Sequence, residues 1–413
     1  MSGGTAPAVV VTGLSVLGPH GQDPEGVWKR LCDGKSGVST IEGFDVAALP
    51  VTIAGQVKRF DAGQFIAPRD ARLMDRFVQL GLVAGLLAVR DAGLEIGRDV
   101  AGERTGVVVG SGVGGQSTVQ QHAVALHETG MRDINPYYMP MMLINMVAAQ
   151  LAIRLGITGP SSAISTACAT GANAIGDGYR MIQRGETDVV IAGAAEALNP
   201  LGIAGFAAAR ALSRRTHEPE RASRPFDRSR DGFVVGEGAA MLVLESRAHA
   251  RARGARILAE LAGYGVATDA YHVTMPEPNG AGAVACMRKA LADADLAAAD
   301  IDHINAHATG TKLGDVSEAR AIRAVFGTGI PACSATKSMT GHLLGAAGAL
   351  EALIAVMSVA TDTVPPTINL TDPDPECVLD HVRDAARRTH VRAAISNSFA
   401  FGGHNACLVF KKP

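Results

Sequence analysis

The sequence predicts an α/β protein whose sheets are buried on both faces, and three observations carry that expectation. Short β-branched runs alternate with longer helical patterns from one end of the chain to the other, as in sheets covered by helices. Aromatic residues make up only 4% of the 413 residues, against 47% apolar residues and 48 glycines. Such a core must pack through small side chains and close backbone approach. Finally, one strand-turn-helix unit occurs twice. Thr166-Ala-Cys-Ala-Thr-Gly171 and Thr336-Lys-Ser-Met-Thr-Gly341 each follow a strand-like run and lead into a Gly/Ala-rich helical pattern. One copy bears a thiol, the other a lysine and then a histidine, which suggests two pseudo-twofold-related halves.

In chain order, strands are expected at Val9–Thr12, Gly106–Gly110, Ala163–Ala167, Val189–Ala192, Ile257–Ala262, Ile301–Ala306 and Ala394–Asn397. Each is a short apolar, mostly β-branched run bounded by turn residues. Apolar periodicity predicts helices over Met74–Ala92, Met142–Leu155, Gly171–Gln183, Val316–Phe326 and Leu343–Val359. The most polar segment, Ser213–Gly232, reads as an arginine-bearing surface loop.

A formal net charge of −2 argues against nucleic acid as a partner. The six cysteines are scattered without C-x-x-C pairs or zinc spacing. They predict a reduced, cytoplasmic protein with no structural metal and no disulfide framework. Met1–Ala8 lacks the charged segment and cleavage site of a secretory leader, and apolar runs stop short of the ~20 residues of a membrane helix. A soluble protein away from the membrane is expected.

Cys168 lies where a strand-like run meets a helical pattern. The positive end of a helix dipole would there favour thiolate, although most buried cysteines are structural. His307 follows a strand in Asn305-Ala-His-Ala-Thr-Gly-Thr311, where α/β proteins place reactive groups. A loop histidine with no role fits that place as well. His342 opens the last apolar helix, where a satisfied core histidine is the default reading. Lys337 is surrounded by small or apolar residues and wants a carboxylate. Asp315, Glu318 and Glu351 are the candidates near in sequence. In Asn397-Ser-Phe-Ala-Phe-Gly-Gly-His-Asn405, adjacent glycines after Phe399 and Phe401 make a loop whose N–H groups can face a ligand. Gly110-Ser-Gly-Val-Gly-Gly115 is glycine-rich but lacks the residues a nucleotide site needs.

Taken together these motifs resemble the β-ketoacyl-acyl carrier protein synthases, most closely the type II elongating enzymes, over effectively the whole chain. The resemblance implies the thiolase fold, five layers αβαβα with two pseudo-twofold-related halves. Residues 8–255 would carry the nucleophilic cysteine, and residues 256–413 the histidines and lysine. It implies a decarboxylative condensation of an acyl group held on Cys168 with malonyl-acyl carrier protein, in fatty acid elongation. His307 and His342 would stabilise the enolate, and backbone N–H groups of Cys168 and Phe401 the acyl oxygen. Lys337 would be structural and electrostatic, paired with a carboxylate such as Glu351.

The same resemblance implies that Thr309 and Thr311 bind the phosphopantetheine arm, and that Phe206, Phe399, Gly402 and Val113 line the substrate path. Val113 would form the acyl-pocket floor, where relatives often carry isoleucine. Arg72, Arg132 and Arg210 would dock the carrier protein, while Leu73 and Asp133 stand where the bacterial pattern has lysine. Ala400 and His404 replace the usual glycine and threonine of the loop. No cofactor is implied, because substrates ride on the carrier's phosphopantetheine. The expected assembly is a dimer with itself or with a homologous chain-length-factor subunit. The alternative reading is the catalytic half of a type II polyketide or polyene synthase. A thiolase is disfavoured because Cys407, the available second cysteine, follows the wrong motif. A non-catalytic chain-length factor is disfavoured by Cys168 with both histidines.

Overall fold

The computed structural model describes residues 6–413. Ten strands form one hydrogen-bonded sheet. The first five are β1 (Val9–Leu17), β2 (Thr105–Gly110), β3 (Ser161–Ser162), β4 (Val189–Glu196) and β5 (Gly238–Ser246). The second five are β6 (Ala259–Thr268), β7 (His303–Asn305), β8 (Ala332–Ser334), β9 (Ala393–Phe399) and β10 (His404–Lys411). Their spatial order is β8-β7-β9-β10-β6-β1-β5-β4-β2-β3. Read outward from the centre, each half has the same order and the same senses: two antiparallel pairings, then two parallel ones. The repeat suggested by Thr166–Gly171 and Thr336–Gly341 is thus present in the topology. The halves join where Val9–Val11 of β1 pairs antiparallel with Ala259–Leu261 of β6. Only three residues pair there, so beyond them the halves diverge and leave room for helices between them.

Six of these seven helices complete the layers: α1 (Arg76–Asp91), α2 (Gln116–Thr129), α3 (Met146–Leu155), α4 (Thr170–Gln183), α5 (Ala281–Asp293), α6 (Lys312–Phe326) and α7 (Ala347–Thr361). The exception, α2, packs on other helices. Helices α1 and α3 cover the outer face of the first half, and α5 and α6 that of the second. Helices α4 and α7 lie in the middle and touch strands of both halves. The result is five layers, helix–sheet–helix–sheet–helix, and the protein has the thiolase fold. Strands β1, β4 and β5 are buried at every residue. Continuous burial rather than alternation is what a sheet covered on both faces requires.

The central helices come together through glycine. A Cβ on Gly171 would lie 2.5 Å from the backbone nitrogen of Ala349, and one on Gly348 would lie 2.8 Å from that of Ala172. The low aromatic content has the same origin, since two backbones in contact leave no room for rings. The apolar stretch Leu344–Thr361 is long enough to cross a membrane by length and composition, yet 83% of it is buried inside the protein. It is the core of the middle layer.

Three expectations need correction. Ala163–Ala167 is not a strand: pairing stops at Ser162 and the chain leaves the sheet to enter a tight turn at Ala167–Ala169. The helix expected over Met142–Leu155 starts only at Met146, after a separate turn of helix at Tyr138–Met142. The Ser213–Gly232 segment is not a surface loop throughout, because Arg224, Asp227 and Arg230 are buried. Arg230 Nη1 meets Asp374 at 2.7 Å, Nε lies 3.4 Å from Asp315, and the carbonyls of Asp227, Thr311 and Lys312 accept its other N–H groups. A guanidinium with all three nitrogens hydrogen-bonded can be buried, and composition alone does not reveal that. Replacing Arg230 with Met should strand Asp315 without its cation. Unfolding in urea should then report a loss of about 3–5 kcal/mol.

Candidate active site

The nucleophile candidate is placed by a strained turn. Ala167 adopts φ 49, a left-handed conformation costly for a residue with a Cβ. Thr170 holds the turn: its Oγ1 accepts from the Thr166 N–H (2.9 Å) and donates to the Ala167 carbonyl (2.7 Å). Asn173 Nδ2 donates to Thr166 Oγ1 at 2.7 Å. The turn presents Cys168 to a cavity of about 360 Å³, shared with His307, His342, Phe399 and Phe401.

The second half supplies the other groups. His342 Nε2 stands 3.0 Å from Cys168 Sγ. The rings of His307 and His342 meet edge-on with centroids 5.5 Å apart, and Phe233 packs edge-on against His342 at 5.3 Å. His307 sits on the loop after β7, and two buried carboxylates set that loop. Glu318 accepts the N–H groups of His307 (2.9 Å) and Ala308 (2.7 Å) and the Asn397 amide (3.2 Å). Asp315 accepts from the N–H groups of Gly310 (3.0 Å) and Phe226 (2.7 Å). Both carboxylates were candidate partners for Lys337, but the structure gives that place to Glu351. Lys337 Nζ bonds the Glu351 carboxylate and the His307 carbonyl (2.6 Å), and lies 3.4 Å from His307 Nδ1.

This arrangement fixes protonation. An ammonium can only donate, so Nδ1 of His307 is the acceptor and Nε2 carries the proton. Burial, then the Lys337 charge, hold both histidines well below the ordinary imidazole range. They are neutral N–H donors at physiological pH, suited to an oxygen on which charge develops. Burial pushes the carboxyls of Asp315 and Glu318 up to about 6, against the N–H groups they accept.

Burial opposes the expected thiolate. Burial pushes the Cys168 thiol up to about 11, outweighing the Lys337 charge and the Phe401 N–H, which both favour ionisation. Cys168 belongs to the tight turn Ala167–Ala169 that precedes α4, and desolvation there works against the dipole effect.

Thr309, Thr311, Phe206 and Phe399 line the cavity, and Arg210 lies on its wall. Thr309 Oγ1 donates to Thr311 Oγ1 at 3.2 Å. Gly402 does not line it; at φ 82 it turns the loop and donates its N–H to the Val273 carbonyl (2.8 Å). Ala400 is extended (φ −119, ψ 160) and therefore needs no glycine. Val113 does not line the cavity of the single chain and is 45% exposed. Arg72 and Arg132 are exposed and lie outside it. Sequence reasoning missed Glu196, a fully buried carboxylate ending the apolar strand β4. One acid inside Val189-Val-Ile-Ala-Gly-Ala-Ala-Glu196 was the available signal.

Family models for the β-ketoacyl synthase N-terminal and C-terminal domains match residues 6–250 and 258–371. The chain belongs to the β-ketoacyl synthase family. The 3-oxoacyl-[acyl-carrier-protein] synthase 2 of Vibrio harveyi is 48% identical over 408 residues, 98% of either chain. That of Synechocystis is 46% identical over 407 residues, again 98% of both. Among solved structures, the ishigamide ketosynthase/chain length factor aligns with a TM-score of 0.92 at 36% identity, covering 99% of this chain and 100% of that one. A type II polyketide acyl-carrier protein in complex with its ketosynthase aligns at 0.90 and 33%, with the same coverage. The chain is accordingly a condensing acyltransferase.

The raised thiol has a measurable consequence. Alkylation of Cys168 by iodoacetamide, followed by mass spectrometry, should still be accelerating above pH 9. A free cysteine thiol would be levelling off there. A plateau near neutral pH would contradict the protonated resting state.

Proposed function

We propose that this enzyme elongates fatty acyl chains by joining an acyl group on Cys168 to a two-carbon unit from malonyl-acyl carrier protein. The observation that carries the reading is one cavity holding Cys168 3.0 Å from His342, with His307 beside it and both imidazoles neutral. In the first step the Cys168 sulfur attacks the acyl thioester of the carrier. Its proton goes to the departing phosphopantetheine sulfur as the carrier's carbon–sulfur bond breaks. In the second, malonyl thioester loses carbon dioxide, and N–H groups of His307 and His342 hold the enolate oxygen. The carbanion attacks the acyl carbonyl, whose oxygen is held by the N–H groups of Cys168 and Phe401. The Cys168 carbon–sulfur bond then breaks to release β-ketoacyl carrier protein, and the sulfur takes a proton from solvent. Thr309 and Thr311 bind the phosphopantetheine arm, and the reaction takes no redox, nucleotide or metal cofactor.

Full-length relatives at 46–48% identity bear the fatty acid enzyme's name, whereas the type II polyketide ketosynthase stands at 33%. That difference favours fatty acid synthesis, in the cytoplasm, over a polyketide pathway. For the carrier protein we assign Arg72, Arg132 and Arg210 as docking residues. The partner we assign is a second copy of this chain. Val124, Leu126, Met131, Met139 and Ile153 are all at least half exposed, on the segment leading to the edge strand β3. An open sheet edge beside exposed apolar groups is an association surface. Covering it would also enclose Val113 and let it act as the acyl-pocket floor. Light scattering of the purified chain should report a dimer of identical subunits; a monomer, or a stoichiometric homologous partner, would favour the polyketide assembly.

Intact mass after incubation with acyl-carrier protein should show one acyl adduct, absent from Cys168→Ala. His307→Ala and His342→Ala should each slow malonyl decarboxylation by about two to three orders of magnitude. Acylation of Cys168 should lose much less. Equal loss of both half-reactions would refute the assigned roles.

A further inference from the structure

Glu196 has no part in the steps above, yet it is fully buried and every partner of its carboxylate is neutral. Oε1 accepts from Ser111 Oγ (2.8 Å) and the Val113 N–H (3.3 Å), and Oε2 from the N–H groups of Gly112 (2.7 Å) and Gly345 (3.0 Å). Three of these donors lie on the turn after β2, in the first half. The fourth lies three residues after His342, in the second half. Ser111 Oγ in turn accepts the Gly114 N–H at 2.9 Å, which orients the hydroxyl proton toward the carboxylate. The two backbones run so close that a Cβ on Gly345 would sit 2.4 Å from the Gly112 nitrogen and 2.6 Å from Glu196 Oε2. Gly112 also faces the nucleophile's segment, since its carbonyl accepts from Ser165 Oγ at 3.3 Å.

The donors around this carboxylate favour the anion, because a protonated carboxyl would find few acceptors there. Burial works the other way and pushes this carboxyl up to about 7. We propose that Glu196 is a positioning residue that ties the Ser111–Val113 turn to the His342 turn, fixing His342 relative to Cys168 across the two halves. The proposal rests on the condensing reading above and adds a residue to it. Its charge also acts on the nucleophile. Cys168 is faced by His342, His307 and Lys337, and by the carboxylates of Glu196 and Glu351. Lys337 is bonded to Glu351, so Glu196 is the carboxylate among these whose charge no cation pairs.

Two effects of opposite sign follow, and a merely structural residue would produce neither. In Glu196→Gln the amide keeps the volume but sets an NH₂ group against N–H donors, so the tie loosens and His342 shifts. Malonyl decarboxylation should then slow about tenfold more than acylation of Cys168 does. Removal of the anion should move the pH profile of Cys168 alkylation down by about one unit. The measurements are both half-reactions and the alkylation profile of the full-length enzyme, with thermal unfolding in parallel. Equal slowing of the two half-reactions, or an alkylation profile that stays put or rises, would overturn the proposal. If Glu196→Gln does not fold, Ser111→Ala removes one donor but keeps the anion: malonyl decarboxylation should again slow more than acylation, while the alkylation profile should not move down. Failure of the wild-type enzyme to acylate Cys168 or to decarboxylate malonyl thioester would refute the condensing reading itself. That outcome is distinct from a variant lacking the two signatures.

Discussion

The buried pair of Lys337 and Glu351 is the interaction on which the site depends. Both side chains are almost fully enclosed, and an ammonium in such a place survives only if paired and fully bonded. Lys337 meets that condition with the Glu351 carboxylate and the His307 carbonyl. Its remaining direction approaches His307 Nδ1, and that contact chooses the tautomer whose Nε2–H faces the cavity. The same charge, added to burial, keeps both imidazoles from protonating. Glu351 belongs to the central helix α7, so the pair anchors the catalytic corner to the middle layer. Removing either partner would leave a lone charge in the core, at about 3–5 kcal/mol.

The duplicated architecture explains why the reacting groups come from far apart in sequence. The turn after β3 and the turn after β8 are equivalent places in the two halves, and each leads to a central helix. Those helices cross at Gly171 and Gly348, so the two turns are drawn together over the middle layer. One turn supplies the thiol; the other supplies the lysine and, at its exit, His342. Symmetry of backbone with divergence of side chains thus places a nucleophile and its hydrogen-bonding partner 3.0 Å apart.

Much of this was legible in the sequence, for physical reasons that differ by element. Strands such as Val189–Glu196 are buried on both faces, so they appear as unbroken apolar runs. The turn chemistry of Thr166–Gly171 and Thr336–Gly341 is local, and local signals survive in a single sequence. Ala163–Ala167 misled because an apolar run at a sheet edge reads the same whether or not it finds a partner. Arg230 misled because an arginine's burial depends on Asp315 and Asp374, 85 and 144 residues away. The state of Cys168 could not be read either. Sequence shows the helix that follows it, whereas the enclosure that raises its pKa is assembled from both halves.

That raised thiol pKa gives the site its logic. Pushed up to about 11 by burial, the thiol is protonated at pH 7, so the resting cysteine is a poor target for stray electrophiles. Ionisation must be coupled to arrival of a thioester, whose leaving sulfur takes the proton. The surrounding carboxylates work toward the same end. Glu318 and Asp315 fix the His307 loop and Glu196 fixes the Ser111–Val113 and Gly345 turns, all by accepting backbone N–H groups. A buried anion that immobilises a loop also disfavours a second anion nearby. The geometry that aims two neutral donors at an enolate and the field that keeps the thiol protonated therefore have a common origin. A site built this way holds charge on the substrate oxygen during the condensation, and not on its own sulfur while it waits.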